Sequence, residues 1–308
     1  MIKRTLYFGN PAYLSTRLEQ LEVRLPEQNE SKSIPIEDIA VVILDNQQIT
    51  ITHTVIAKLL ANNVALITCN DKHHPVGLML NLDGHTKQSK LFKHQIEAGE
   101  PLKKQIWQQT VKMKIENQGI VLDNFDRNDL YLKQLAKNVK SGDAENAEAQ
   151  AAQYYWKTLS PALTKGANSF KRERFGEDPN HLLNYGYTIL RAIVARSLVG
   201  SGLLPTLGIF HRNQYNAYCL ADDIMEPYRP IIDNYIIDIL QNDVITNELS
   251  PEIKAKLLKI PVLDVEIDKE RSPLTIAVQR TTASLARSFE TGKNVMIYPK
   301  QLSYKIIF

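Results

Sequence analysis

The residues able to do chemistry lie in three segments far apart along the 308-residue chain. Glu148 stands in Glu148-Ala149-Gln150-Ala151-Ala152, among small residues on a helix that turns aromatic at Tyr154-Tyr155-Trp156. Small neighbours let backbones and ligands approach closely. His211 ends the apolar run Leu207-Gly208-Ile209-Phe210 and adjoins Arg212. In Leu220-Ala221-Asp222-Asp223-Ile224-Met225-Glu226-Pro227, Asp223 and Glu226 are three apart and share one face of a helix. Pro227 disfavours helix at Glu226, and the negative end of a helix dipole is a poor place for an unpaired carboxylate. Acids there require a cation, which is Arg229 on one reading and a metal on the other. Glu148, His211 and Glu226, with Asp223 nearby, offer carboxylate oxygens and one imidazole. That donor set suits Mg²⁺ or Mn²⁺, the imidazole favouring Mn²⁺. A hard divalent ion among acids activates an attacking hydroxyl and stabilises charge developing on phosphate. Each segment also has a plainer reading: a surface Glu on an alanine-rich helix, a hydrogen-bonded core His, and acids paired with Arg229.

Charge distribution adds a partner. Lys165, Lys171, Arg172 and Arg174 crowd one loop, flanked by Phe170 and Phe175, and Arg191, Arg196, Arg212 and Arg229 follow. Cations interleaved with aromatics beside an acidic cluster fit a DNA phosphate track. Glu173, Glu177 and Asp178 would instead balance a solvated loop. The net charge of +3 neither demands nor excludes nucleic acid. Hydrophobic residues at 44% and charged residues at 23% exclude a disordered chain or a fibre. Cys69 and Cys219 cannot make a disulfide framework or a cysteine-based zinc site, and read as buried thiols of a reducing cytoplasm. No apolar run approaches the ~20 residues that span a bilayer, and the first residues show no secretory signal. A cytoplasmic protein without a membrane partner is expected.

The elements that must position these residues change character along the chain. Residues 5–8, 21–25, 39–44 and 64–68 read as strands, with a polar hairpin loop over 26–33 and a helix near 54–61. From residue 91 onward helical spacing dominates, over 91–121, 124–140, 145–159, 182–199, 217–225 and 231–240. The expected fold class is therefore α+β: a small N-terminal β-rich domain (1–80), a linker (81–90) and a larger all-α C-terminal domain (91–308) carrying the chemistry.

The string Gly208-Ile209-Phe210-His211-Arg212-Asn213, followed by Leu220-Ala221-Asp222-Asp223-Ile224-Met225-Glu226-Pro227-Tyr228-Arg229-Pro230, resembles the signature of the CRISPR adaptation integrases, the "CRISPR-associated protein one" family. Residues 170–175 and 179–187 are similar to the segment this family places before its metal histidine, and Arg280-Thr281-Thr282-Ala283-Ser284-Leu285 resembles its C-terminal part. The likeness covers essentially the whole chain, and its wording is most similar to the branch that accompanies a single large effector nuclease (type II).

The resemblance implies a dimer with an N-terminal β domain and a helical domain that binds the metal. It places the ligands on Glu148, His211 and Glu226, with Asp223 one turn before Glu226 and open as the alternative acid. It implies a metal-dependent DNA integrase and endonuclease, in which the 3′-hydroxyl of a captured fragment attacks a phosphodiester at the border of a CRISPR repeat. His211 is then a ligand rather than a general base. The implied partners are double-stranded DNA (the captured fragment and the leader-repeat), a second copy of the chain, a dimer of the small "CRISPR-associated protein two", and the large effector nuclease. The N-terminal domain is the expected dimer surface, with residues 41–44 extending a sheet across two chains. Lys165, Lys171, Arg172, Arg174, Arg212 and Arg229 are the candidate DNA contacts. Arg280, Arg287, Lys293, Lys300 and Lys305 of the tail face DNA, the partner or solvent. Two rivals remain: a metal-dependent nuclease of branched-DNA repair, and a non-catalytic DNA-binding scaffold whose acids pair with Arg212 and Arg229.

Overall fold

Six consecutive apolar residues, Ile39–Leu44, form a strand buried on both faces, and the N-terminal part is built on it. The structure is a computed structural model, and it describes residues 3–26, 31–71, 73, 75–164, 170–173, 179–242 and 250–302. The N-terminal elements are β1 (Arg4–Phe8), β2 (Ala12–Arg17), β3 (Gln20–Arg24), β4 (Ser31–Pro35), β5 (Ile39–Leu44), β6 (Ile49–Ile51), α1 (His53–Ala61), β7 (Ala65–Cys69) and β8 (Pro75–Met79). One sheet has the order β1-β5-β7-β8, with β1, β5 and β7 parallel and β8 antiparallel. The other runs β4-β3-β2-β6, and β2 pairs with β6 in parallel.

Alternation along β5 and β7 separates two cores. Val42 and Leu66 point toward α1 and the second sheet, where they meet Leu14, Leu21, Val55 and Leu59; Ile39 joins them from before the register shift at the start of β5. Val41, Ile43, Ala65 and Ile67 point the other way, into the core of the helical part. This is the two-residue period of a strand placed between two apolar layers. Because β5 is paired on both sides, residues 41–44 have no free edge to extend across a dimer. That expectation is corrected: among the described strands, β1 and β8 are the edges of this sheet, and β4 and β6 those of the other.

The helical part comprises α2 (Gln88–Glu97), α3 (Glu100–Asn124), α4 (Leu130–Asn138), α5 (Ala147–Leu163), α6 (Asn180–Gly200), α7 (Cys219–Met225), α8 (Arg229–Asn242), α9 (Pro251–Leu257) and α10 (Leu274–Thr291). The helix expected over 91–121 is two helices, broken at Ala98-Gly99 ahead of Pro101 in the first turn of α3. The helical part also carries a hairpin that the sequence reading missed, β9 (Asp264–Ile267) with β10 (Glu270–Pro273). α6 is apolar almost all round and packs against β5, β7 and β8 as well as α7, α8 and α10. The expected linker is partly helical, since α2 starts at Gln88, and Gly84 lies against the backbone of Val199.

A buried ion pair ties the two parts together. Asp45, just after β5, accepts from Lys254 Nζ of α9 at 2.8 Å, from the Tyr7 hydroxyl, and contacts His73 Nδ1 at 3.0 Å. Beside it, burial and then the Asp45 charge push the Cys69 thiol up to about 12, as expected of an inert buried cysteine. No helix among the described residues is long and apolar enough to cross a membrane.

A second buried node joins three helices. Asp233 of α8 accepts from the Tyr155 hydroxyl of α5 at 3.1 Å and from the Tyr187 hydroxyl of α6. Burial, opposed by these two hydroxyls, pushes its carboxyl up to about 6. The folded chain therefore keeps this proton at pH values where the unfolded chain has released it. Stability from this group is present at low pH and falls as pH rises from about 4 to about 6. Asp233→Asn removes that dependence. Relative to the parent, its stability to urea is expected to improve by about 2–3 kcal/mol between pH 4 and pH 7. A pH-independent difference between the two proteins would contradict the assignment.

Candidate active site

Glu148 is held at the start of α5 by the turn before it. Gly142 at φ +66° and Asn146 at φ +54° reverse the chain, and the Asp143 carboxylate accepts from Ala147 N–H at 2.7 Å and Glu148 N–H at 3.1 Å. Asp143 satisfies two orphan amides of the helix start, and the positive end of the dipole favours an acid in that turn.

His211 sits on the loop between α6 and α7. Gln95 of α2, buried, clamps this loop by donating to the carbonyls of Leu204 and Leu207 and accepting from Leu204 N–H at 2.8 Å. Trp107 of α3 stacks on Phe210 with ring centres 4.3 Å apart, and meets His211 edge-on. Gly208 is required for the closeness of the loop: a Cβ there would stand 2.2 Å from the His211 carbonyl and 2.9 Å from Asp223 Oδ2.

Asp223 of α7 is fully buried, and the loop wraps around it. Oδ2 accepts from Ile209 N–H at 2.5 Å and Phe210 N–H at 3.0 Å. Oδ1 takes His211 N–H at 3.1 Å and His211 Nδ1 at 2.6 Å. Both oxygens are thus occupied by protein donors. The carboxylate also fixes the imidazole, since a hydrogen on Nδ1 leaves Nε2 as the nitrogen with a lone pair.

Glu226 begins a short 3₁₀ turn, Glu226–Tyr228, between α7 and α8. Asn117 of α3 anchors that turn: its side-chain nitrogen donates to Pro227 O at 2.7 Å and Pro299 O at 3.0 Å, and its oxygen accepts from Gln301 N–H.

Lys114, one turn before Asn117 on α3, bridges the acids. Its ammonium lies 2.6 Å from Glu148 Oε1 and 2.5 Å from Glu226 Oε2, and Arg229 Nε lies 2.9 Å from Glu226 Oε1. The site is therefore an electrostatic cluster. Burial alone would raise the Glu226 carboxyl, but Arg229 and Lys114 hold it below the usual carboxylate range. Against the same burial, Glu226 and Glu148 keep the Lys114 ammonium charged and raise its pKa. The Asp223 hydrogen bond, aided by the charges of Glu226 and Glu148, raises the His211 imidazole above its ordinary value.

Glu148, His211, Asp223 and Glu226, expected from sequence, are thus brought into one cluster. The expected DNA contacts scatter. Arg229 is not a surface cation; it is held against Glu226 and over the Tyr187 ring. Arg172 also lies over Tyr187 and donates to Asn180 and Asn184 of α6. Arg212 is exposed and pairs with Glu100, and Lys171 is exposed beside Glu173. Lys165, Arg174 and Phe175, with Lys305 of the tail, lie outside the described residues.

As the side chains stand, no three His, Cys, Asp or Glu among the described residues converge to hold a metal. Lys114 stands between the acids instead. The donors nevertheless suit a hard divalent ion. Glu226 Oε2 is buried and faces the Lys114 ammonium, a position a metal cation could take. A second carboxylate and an imidazole with Nε2 free complete the set.

Two N-terminal sheets leading into a helical body define a fold shared with solved structures. A casposase bound to integration product superposes with a TM-score of 0.81 at 20% identity, covering 100% of this chain and 96% of that one. A Cas1 protein from Thermotoga maritima does so at 0.75 and 15% identity, covering 95% and 99%. Residues 6–259 match the family model described as CRISPR associated protein Cas1. The chain is 37% identical over 95% of its length, and 92% of the relative's, to the CRISPR-associated endonuclease Cas1 of Neisseria meningitidis serogroup C (strain 8013). It belongs to the Cas1 family, and the resemblance carried by residues 208–230 is borne out.

Proposed function

We propose that this protein is a metal-dependent DNA integrase and endonuclease that inserts short foreign fragments into a CRISPR array by 3′-hydroxyl attack at the repeat borders. The observation that carries the reading is the cluster itself: Glu148 and Glu226 face one ammonium, beside a histidine whose Nδ1 is fixed by Asp223. Glu148, Glu226 and His211 Nε2 would hold Mg²⁺ or Mn²⁺; Asp223, its oxygens spent on the loop, orients the histidine and is not a ligand. The bound ion supplies Lewis acidity to the attacking hydroxyl and to the phosphate. Arg229 offsets charge on Glu226 and at the phosphate, and Arg212 lies exposed on the same loop as His211. Membership of the family supports an endonuclease activity, and the casposase likeness supports joining. A chain of the Cas6-RT-Cas1–Cas2 complex, 36% of which is covered, shares the fold at a TM-score of 0.74, which supports Cas2 as a partner; that both act as dimers is part of the proposal. Double-stranded DNA, the leader-repeat and the large effector nuclease complete the proposed partners, in the cytoplasm.

One observation favours the scaffold reading: Glu226 pairs with Arg229, as that reading expects. Calorimetry with Mn²⁺ separates the two, since a scaffold shows no binding that depends on Glu148. The decisive assay is transfer of a labelled short duplex into a supercoiled plasmid bearing leader and repeat, with Mn²⁺ and Cas2. Label joined at the repeat border by the parent, and lost with Glu148→Ala, is the expected result. Cutting without joining would favour the repair nuclease; neither cutting nor joining would favour the scaffold.

A further inference from the structure

Lys114 points to a coupling between metal and DNA that rests on the proposed metal site and goes beyond it. Its ammonium stands where the two acids would receive a cation, at 2.6 and 2.5 Å. Its hydrogen bond goes to Glu148, its other contact is to the buried Glu226 Oε2, and an ammonium on a flexible four-carbon stem can change partner when a stronger cation arrives.

The charges facing this point are three carboxylates, Glu148, Asp223 and Glu226, and two cations, Lys114 and Arg229, with His211 beside them. With a neutral imidazole the cluster carries one net negative charge. A divalent ion turns that into one net positive charge, in a largely buried place. One phosphodiester then restores neutrality.

We propose that Lys114 is the resident counter-ion of the Glu148–Glu226 pair, that a divalent ion displaces its ammonium, and that the freed ammonium binds a non-bridging oxygen of the DNA phosphate. Metal without DNA is opposed by Lys114, and DNA without metal finds the ammonium already engaged. Each ligand therefore favours the other, and the site assembles most completely when both are present. No bond forms or breaks in this exchange; one ion pair is replaced by a metal–carboxylate contact and an ammonium–phosphate contact.

The test is Mn²⁺ titration by calorimetry on the full chain, with and without a short duplex, for the parent, Lys114→Met and Glu226→Ala. Lys114→Met is expected to bind Mn²⁺ alone about ten-fold more tightly than the parent, because apparent affinity scales with the fraction of molecules whose site is free. The duplex is expected to tighten Mn²⁺ binding to the parent about five-fold or more, and to leave Lys114→Met nearly unchanged. Equal or weaker Mn²⁺ binding by Lys114→Met overturns the proposal while Glu226→Ala, binding none, leaves the metal site standing. Failure of the parent to bind Mn²⁺ under either condition overturns the metal site as well. Should Lys114→Met not fold, the parent alone decides: an Mn²⁺ affinity indifferent to the duplex overturns the coupling.

Discussion

Glu226→Gln is expected to lower DNA joining by about a hundred- to a thousand-fold, the scale on which removal of one charge-stabilising group acts at a reacting centre. Glutamine keeps the volume at the Glu226–Tyr228 turn, so Asn117 still anchors Pro227. What goes is the charge facing Lys114 and Arg229. Breaking one side of a buried ion pair typically costs about 3–5 kcal/mol, and Lys114 keeps Glu148, so about 3 kcal/mol is expected here. The same substitution changes the acid limb of stability. A carboxyl held below its unfolded value stabilises the fold above that value, and the contribution disappears as pH falls through the folded pKa. Glu226→Gln should therefore narrow its stability deficit as pH drops below about 4, the usual carboxylate range. Joining assays, with melting curves at pH 7 and pH 3.5, measure both. Joining above a tenth of the parent's rate would remove Glu226 from the reacting site.

Asp223→Asn should do comparable damage by a different route. Three backbone amides and one imidazole nitrogen converge on this buried carboxylate. Asparagine presents one acceptor oxygen and one NH₂ group, so its nitrogen meets N–H donors. Leaving one or two of those donors unsatisfied costs about 2–4 kcal/mol. His211 also loses the acceptor that keeps its hydrogen on Nδ1. Joining should fall about a hundred-fold or more, with a lower melting temperature. Nitrogen NMR of labelled imidazole should show the hydrogen of His211 on Nδ1 in the parent, and a mixture of tautomers in the variant. Asp222→Asn, one residue earlier, weakens only contacts to Arg191 and Asn216, and should leave that signal in place. An unchanged His211 tautomer in Asp223→Asn would refute the positioning role.

These two acids were legible in sequence and the lysine between them was not. Asp and Glu beside a helix-ending proline advertise a need for cations. A lysine on a 25-residue helix reads as solvated surface. Its signal was position: Lys114 follows Thr110 and Val111, and precedes Ile115 and Gln118, on the buried stripe of α3. The partners of Asp223 were equally hidden, because they are backbone amides of a loop whose closure depends on Gly208. In the fold, β5 and β7 could be read because burial on both faces makes them continuous apolar runs. β6 has three residues, and β8 starts at Pro75 and exposes Val76 and Met79, so neither carried the usual pattern. The β9–β10 turn places Asp268 and Lys269 at positive φ without a glycine, which hid a hairpin inside a helical region. The sheet-extending role given to residues 41–44 failed because an apolar strand marks the middle of a sheet rather than its edge.

The face of β5 and β7 that carries Val41, Ile43, Ala65 and Ile67 has a consequence for the birth of the protein. These residues leave the ribosome within the first 69 positions, but α6, against which they pack, is not complete until residue 200. At about 5–20 residues per second, the interval lasts on the order of ten seconds. Throughout it the parallel strands can pair with one another while their apolar face stays uncovered. Nascent chains arrested in that interval would present this bare sheet to chaperones and to each other, so synthesis of this protein is most exposed to aggregation well after its first domain has been translated.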